Sequence, residues 1–170
     1  MGISIKPHST IYYNLPWCYT STHTTPSKGL KPMRIMAVDL GDVRTGLALS
    51  DITGTLASPI GVIEERDPAR LLSRVADTAQ EHNVSSIVVG YPKNMNGTLG
   101  ERAQKSELFA KSLEELVDVP VVLWDERGTT VSAIRQLNET NTRGAKRKKI
   151  IDAVAAVIIL ENYLAFVKGN

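Results

Sequence analysis

Three acidic positions carry the first sign of chemistry in this 170-residue chain. Asp39 closes the apolar, β-forming run Ile35 to Val38, just before a turn bracketed by Gly41 and Gly46. Asp125 and Glu126 stand together at the end of a second such run, Pro120 to Trp124. Asp152 is the one polar residue between Ile150 and Leu160, inside a helical stretch that is apolar all the way round. A carboxylate among residues that seek the core must find a positive partner, N–H donors or a metal ion. Each acid also has a plainer use. Asp39 can cap its turn through backbone N–H groups, and Asp152 can sit in the first turn of its helix, where the dipole favours an acid. Side chains alternate along a strand, so Asp125 and Glu126 point to opposite faces and only one of them can join Asp39. If Asp39, Glu126 and Asp152 converge, their mutual repulsion demands a counterion. An all-oxygen, histidine-free set suits one or two Mg²⁺ or Mn²⁺ ions rather than Zn²⁺. Such a set orients an attacking water and stabilises the leaving oxygen of a phosphodiester.

Cationic residues lie near the same places. Five of the seven residues from Arg143 to Lys149 are basic, and the run abuts Asp152. Arg44 falls in the first turn, Lys93 in a loop rich in Asn and Gly, Arg102 at the next helix start and Arg127 directly after Glu126. A charge run is usually a solvated face, and each of these side chains alone is ordinary. Jointly, Arg44, Lys93, Arg102, Arg127, Lys146 and Arg147 outline a groove for phosphates. Tyr91 is placed to stack on a base, although a lone aromatic more often belongs to the core or its rim.

The elements that must position these groups follow from periodicity. Ile35–Val38 and Leu47–Leu49 read as a hairpin, and Ser58–Glu64 as a third strand. Asp67 then caps a helix with Pro68 at its first position, running to about His82 with Leu71, Leu72, Val75, Ala76 and Ala79 on one face. Ser86–Gly90 is a short, wholly apolar strand of the kind covered on both faces. A loop over 91–98 leads to a second helix bearing Ala103, Phe109, Ala110, Leu113 and Leu116. After Pro120–Trp124, Thr129 or Thr130 caps a short helix with Val131, Ile134 and Leu137, and a last helix ends at about Phe166. Three strands in a meander, then two strands separated by helices, predict an α/β fold. Its mixed five-stranded sheet has helices on both faces and its site at the strand ends near the topological switch.

Composition narrows the class. The length suits one domain with a real core. A net charge of +2 means that any basic surface is local. One cysteine excludes an internal disulfide framework and Cys-rich zinc sites, and fits a reducing compartment such as the cytoplasm. No apolar run approaches a membrane span. Residues 1–32 differ from the rest: no Asp, Glu or Arg, four prolines and no clear periodicity. They read as a disordered leader or as sequence ahead of a true start at Met33, rather than as a transit peptide. His8 and His23 lie in this leader, which leaves His82 alone in the domain and argues against a histidine base or a Ser-His-Asp triad.

Four motifs in order, Asp39-Leu-Gly-x-x-Arg-x-Gly46 with Ala48-Leu-Ser-Asp51, Val88-Val-Gly-x-Pro-Lys-x-Met-x-Gly97, Asp125-Glu-Arg-x-Thr-Thr130 and Lys149-x-x-Asp-x-x-Ala-Ala156, resemble the YqgF/RuvX family. The resemblance covers about residues 33–166. It implies a ribonuclease H-like fold and a metal-dependent nuclease acting on structured RNA, at the 5′ end of pre-16S rRNA, or on branched DNA as a Holliday junction resolvase. It also maps the family's acidic set onto Asp39, Glu126 and Asp152, with Asp125 adjacent and within the same motif. Gly128, Asn96 and Thr45 depart from the usual residues, and none of them is an expected ligand. Two rivals stand beside it. One is a phosphate loop like that of the actin and sugar-kinase superfamily, which needs two lobes where this chain has room for one. The other is a non-catalytic RNA-binding assembly module, for which a buried Asp152 has no use. Junction cutting would further require a homodimer with two active sites.

Overall fold

The structure, a computed structural model, describes residues 12–13, 34–93, 98–126 and 145–169, with the backbone alone for 12–13 and 145–150. Among these residues one sheet holds six strands: β1 (Tyr12–Tyr13), β2 (Ile35–Asp39), β3 (Arg44–Ser50), β4 (Ala57–Glu64), β5 (Ser86–Tyr91) and β6 (Val121–Asp125), in the spatial order β1-β6-β5-β2-β3-β4. Strands β2, β3 and β4 form the expected antiparallel meander, and β5 and β6 add in parallel beside β2. The sheet therefore holds the five expected strands and one more. That sixth strand is β1, which lies parallel to β6 with Tyr12 beside Val122. The remainder of the leader, the loop at 94–97, Arg127 and the short helix expected near 129–137 lie outside the described residues.

Three helices are described: α1 (Pro68–Glu81), α2 (Glu101–Leu116) and α3 (Ala145–Gly169). Asp67 caps α1 as its sequence suggests, its Oδ1 accepting from the Arg70 N–H at 2.9 Å, and Leu71, Val75 and Ala79 make the buried face. Side-chain alternation divides the sheet. Met36, Val38, Leu47, Val89 and Leu123 point to the side covered by α1 and α2. Ile35, Ala37, Ala48, Val88 and Trp124 point to the other side, against Ala155, Ala156, Ile159, Leu160 and Tyr163 of α3. Trp124 meets Tyr163 edge-on at 5.4 Å and Phe166 at 5.2 Å between ring centroids. Both faces of the central strands are thus closed, which is why those strands are apolar along most of their length.

Local boundaries depart from the sequence reading in several places, among them β5, which takes in Tyr91 from the expected loop. Strand β3 begins at Arg44, so Gly46 lies inside the strand, paired with Asp39, rather than closing the turn. Helix α3 begins at Ala145, so the basic run 146–149 occupies its first turns instead of leading into it. Nor is α3 buried on most sides. It rests on one face of the sheet with Val154 40% exposed, because a helix against a single sheet hides only the stripe that touches it. No described helix is long and apolar enough to cross a membrane.

Candidate active site

Asp39 is the last residue of β2 and is buried. Alternation from Ile35 and Ala37 places its side chain on the α3 side of the sheet. Glu126 follows β6 by one residue, its N–H donating to the Tyr91 carbonyl at 3.3 Å, and it is only 1% exposed. Counting on from Val122 and Trp124 puts Glu126 on that same α3 side. Asp125 points the other way, where its Oδ2 lies 3.5 Å from the Lys93 ammonium. The two neighbouring acids therefore part, and Glu126 is the one that shares a face with Asp39.

Two glycines let this corner close. Gly90 is in β5, and a Cβ added there would run into Oε1 of Glu126 and come within 2.8 Å of Ile159 Cδ1. Strands β2 and β5 run in register with Val38 beside Val89, so Asp39 and Gly90 come next along the two strands. Gly46, opposite Asp39 on β3, has the backbone carbonyl of Asp152 directly above it, where a Cβ would collide. Helix α3 thus descends onto the sheet at Asp152, beside the pair that holds Asp39. The sequence reading gives Gly46 only the closing of a turn and Gly90 no role beyond its motif. The available signal was a glycine inside an otherwise apolar strand, which marks a close approach.

Asp152 is held by an arginine. Arg44 Nε donates to its Oδ2 at 2.5 Å, with the Arg44 side chain 28% exposed and that of Asp152 15%. Of the other expected phosphate contacts, the two with described side chains, Lys93 and Arg102, lie apart from this corner. Lys93 turns toward Asp125 and over the Tyr91 ring, 5.0 Å from its centroid. Arg102 is exposed on α2, across the sheet from the carboxylates. Lys146 and Arg147 fall in the first turns of α3, with side chains outside the described set, as is the whole of Arg127. Tyr91 is buried and its hydroxyl donates to Glu107 Oε1 at 3.1 Å, so it has no face to offer a base.

The donor chemistry of this corner fits a hard divalent ion. Two deeply buried carboxylates share one end of one face, and a third, Asp152, stands beside them about two turns into α3 rather than in its first turn. A carboxylate buried at such a site calls for cationic compensation, and oxygen-only ligands suit Mg²⁺ or Mn²⁺. As the side chains stand, no three described His, Cys, Asp or Glu residues are close enough to hold one ion together. Arg44 occupies Asp152, and that carboxylate must turn from the guanidinium to complete a three-acid set.

A mixed sheet of this order, with acids at the strand ends beside its topological switch, is the ribonuclease H-like arrangement. In agreement, the structure resembles Thermus thermophilus RuvC in complex with Holliday junction substrate, with a TM-score of 0.50 at 12% identity over 81% of this chain and 97% of that one. The RuvX family, described as Holliday junction resolvase, matches residues 33–165. The chain belongs to that family. Several relatives carry the name "Putative pre-16S rRNA nuclease", two of them as follows. The one from Thermoanaerobacter pseudethanolicus is 47% identical over 133 residues, covering 78% of this chain and 96% of its own. That from Bacillus subtilis is 47% identical over 134 residues, covering 78% and 97%.

Proposed function

We propose that this chain is a nuclease that hydrolyses phosphodiester bonds with the help of divalent metal, and that its substrate is the 5′ leader of pre-16S rRNA. The observation that supports this most is the shared placement of Asp39, Glu126 and the stretch of α3 at Asp152 at one end of one sheet face, made possible by Gly46 and Gly90. Asp39, Glu126 and Asp152 would hold Mg²⁺ or Mn²⁺, which when bound supplies an activated water and charge stabilisation for the leaving oxygen. The chain's own residues bring the phosphate there. Arg44, released from Asp152, is within reach of a phosphodiester at the same corner and compensates its charge. The basic first turns of α3 draw the polyanion to that end of the sheet, with the positive end of the helix dipole adding to the attraction. Burial of Asp39 and Glu126 keeps both carboxylates in fixed orientation and excludes bulk water around them.

The rRNA assignment leans on the relatives' names, and a four-way DNA junction is the alternative that the family description favours. One cleavage assay separates them: a pre-16S 5′ leader and an immobile four-way junction, each with Mn²⁺ or chelator, using the chain and its Asp39→Asn variant. Metal-dependent cutting of the leader, lost in the variant while RNA binding persists, is the expected result. Cutting of the junction alone would reassign the substrate. Cutting that survives both chelator and Asp39→Asn would overturn the site.

A further inference from the structure

A concavity lies just across the sheet from the carboxylates. It is a cleft of about 380 Å³ between the N-terminal parts of α1 and α2, and the turn Leu40 to Asp42, which follows Asp39, forms one wall. Its lining is mainly apolar, including Leu71, Leu72 and Phe109, while Arg66 and Arg102 stand at it as exposed cations. Leu108 also lines it and is 66% exposed, a large apolar side chain left open to water. The acids bordering the cleft are already engaged. Glu65 Oε1 accepts from the N–H groups of Arg66 and Asp67 at 2.9 and 3.1 Å. Asp42 Oδ1 accepts from the Lys105 ammonium at 3.0 Å.

We infer that this cleft receives one unpaired, unstacked base of the substrate strand next to the phosphate held at the carboxylates, with Arg66 and Arg102 on the flanking phosphates. The inference rests on the nucleic-acid reading above and specifies which substrates suit it. A strand crossing the lip from Asp39 to Asp42 passes from the acidic corner to the cleft within a few residues' length of wall. The volume is that of a small-ligand site. A base is apolar on its faces and gains by leaving water for an apolar lining, whereas its phosphates need cations outside. Paired bases can enter only by leaving their stack, at a cost of a few kcal/mol. The cleft therefore selects an unpaired nucleotide near the cut, as a single-stranded rRNA leader offers and the continuous arms of a fully paired junction do not.

The test measures binding to the whole Asp39→Asn chain in chelator, using leader RNAs that each lack one base at successive positions around the cut. Loss of one particular base should weaken binding about tenfold, with little effect a few nucleotides away. Leu108→Trp, which fills the exposed mouth of the cleft without touching its buried lining, should erase that dependence on position. Arg102→Ala should keep it and lower the salt slope of binding by about one. Equal cost at every abasic position, or an unchanged pattern in Leu108→Trp, overturns the inference. So does a free mononucleotide that raises the melting temperature of the unmodified chain in the absence of any abasic dependence, since the cleft would then be an effector site. Cleavage of the intact leader by the unmodified chain with Mn²⁺ is scored separately. Cutting without a position effect defeats the cleft alone, and a position effect without cutting defeats the nuclease reading alone.

Discussion

At the scale of single residues, the corner depends as much on what two glycines lack as on what three acids carry. The atoms that a new Cβ would meet differ in kind at the two sites, and that difference separates their expected effects. At Gly90 it meets the far ends of two side chains, Oε1 of Glu126 and Cδ1 of Ile159, which yield more readily than backbone. Gly90→Ala is therefore expected to displace the carboxylate and slow single-turnover cleavage about a hundredfold, while the urea midpoint moves little. At Gly46 the obstacle is the main-chain carbonyl of Asp152, which moves only with the helix. Gly46→Ala should cost about 1–3 kcal/mol in urea unfolding. Equal losses of stability in the two variants would show that Glu126 is packed as tightly as a backbone and cannot yield.

At the scale of elements, two further acids serve a turn and a cap. Asp51 directly follows β3, and its Oδ1 accepts from the N–H groups of Thr55 and Leu56 at 2.6 and 2.9 Å, with a further bond from the Thr53 hydroxyl to Oδ2. These bonds, led by that from Thr53, hold its carboxyl far below the ordinary value of 3.8. A group whose value falls on folding adds stability above its unfolded value and loses it as pH drops from there toward the folded one. Asp51→Asn should thus lower the melting temperature at neutral pH, and the gap between variant and parent should close progressively below about pH 4. A gap that stays constant through that window would mean the carboxylate's charge is not what the turn uses. Asp67→Ala removes the cap of α1 and should cost about 1 kcal/mol of stability, measured by urea unfolding at neutral pH. A much smaller loss would mean that Pro68 and the buried face hold that end unaided.

At the scale of the whole molecule, the sheet separates two surfaces: carboxylates with α3 on one side, and the cleft of α1 and α2 on the other, joined over the lip after β2. A net charge of +2 spread over 170 residues cannot by itself hold a polyanion, so affinity must come from cations placed at this end. Replacing Lys146 and Arg147 by alanine should weaken binding to all RNA sequences alike and lower the slope of log K against log salt by about two. A loss confined to one sequence would point to base contacts instead.

The chain by itself marked most of the architecture and singled out the candidate acids, because both are written in local pattern. Period-two and period-3.6 apolar runs marked five strands and the long helices, and Asp67-Pro68 marked where α1 begins. Asp39 and Asp152 stood out because an acid in an apolar run is costly. Only the tertiary structure decided how these parts meet. The choice between Asp125 and Glu126 turns on which face of β6 is covered by α3, a matter of strand pairing across residues far apart in sequence. Lys93 and Tyr91 looked available from their loop, yet one faces Asp125 and the other is buried with its hydroxyl on Glu107. Arg44 sits beside Asp152 although 108 positions separate them. Gly46 and Gly90 owe their meaning to what lies directly above them, and the cleft exists only where α1 and α2 are brought side by side. Such facts depend on contacts between segments distant along the chain, and local propensity holds no record of them.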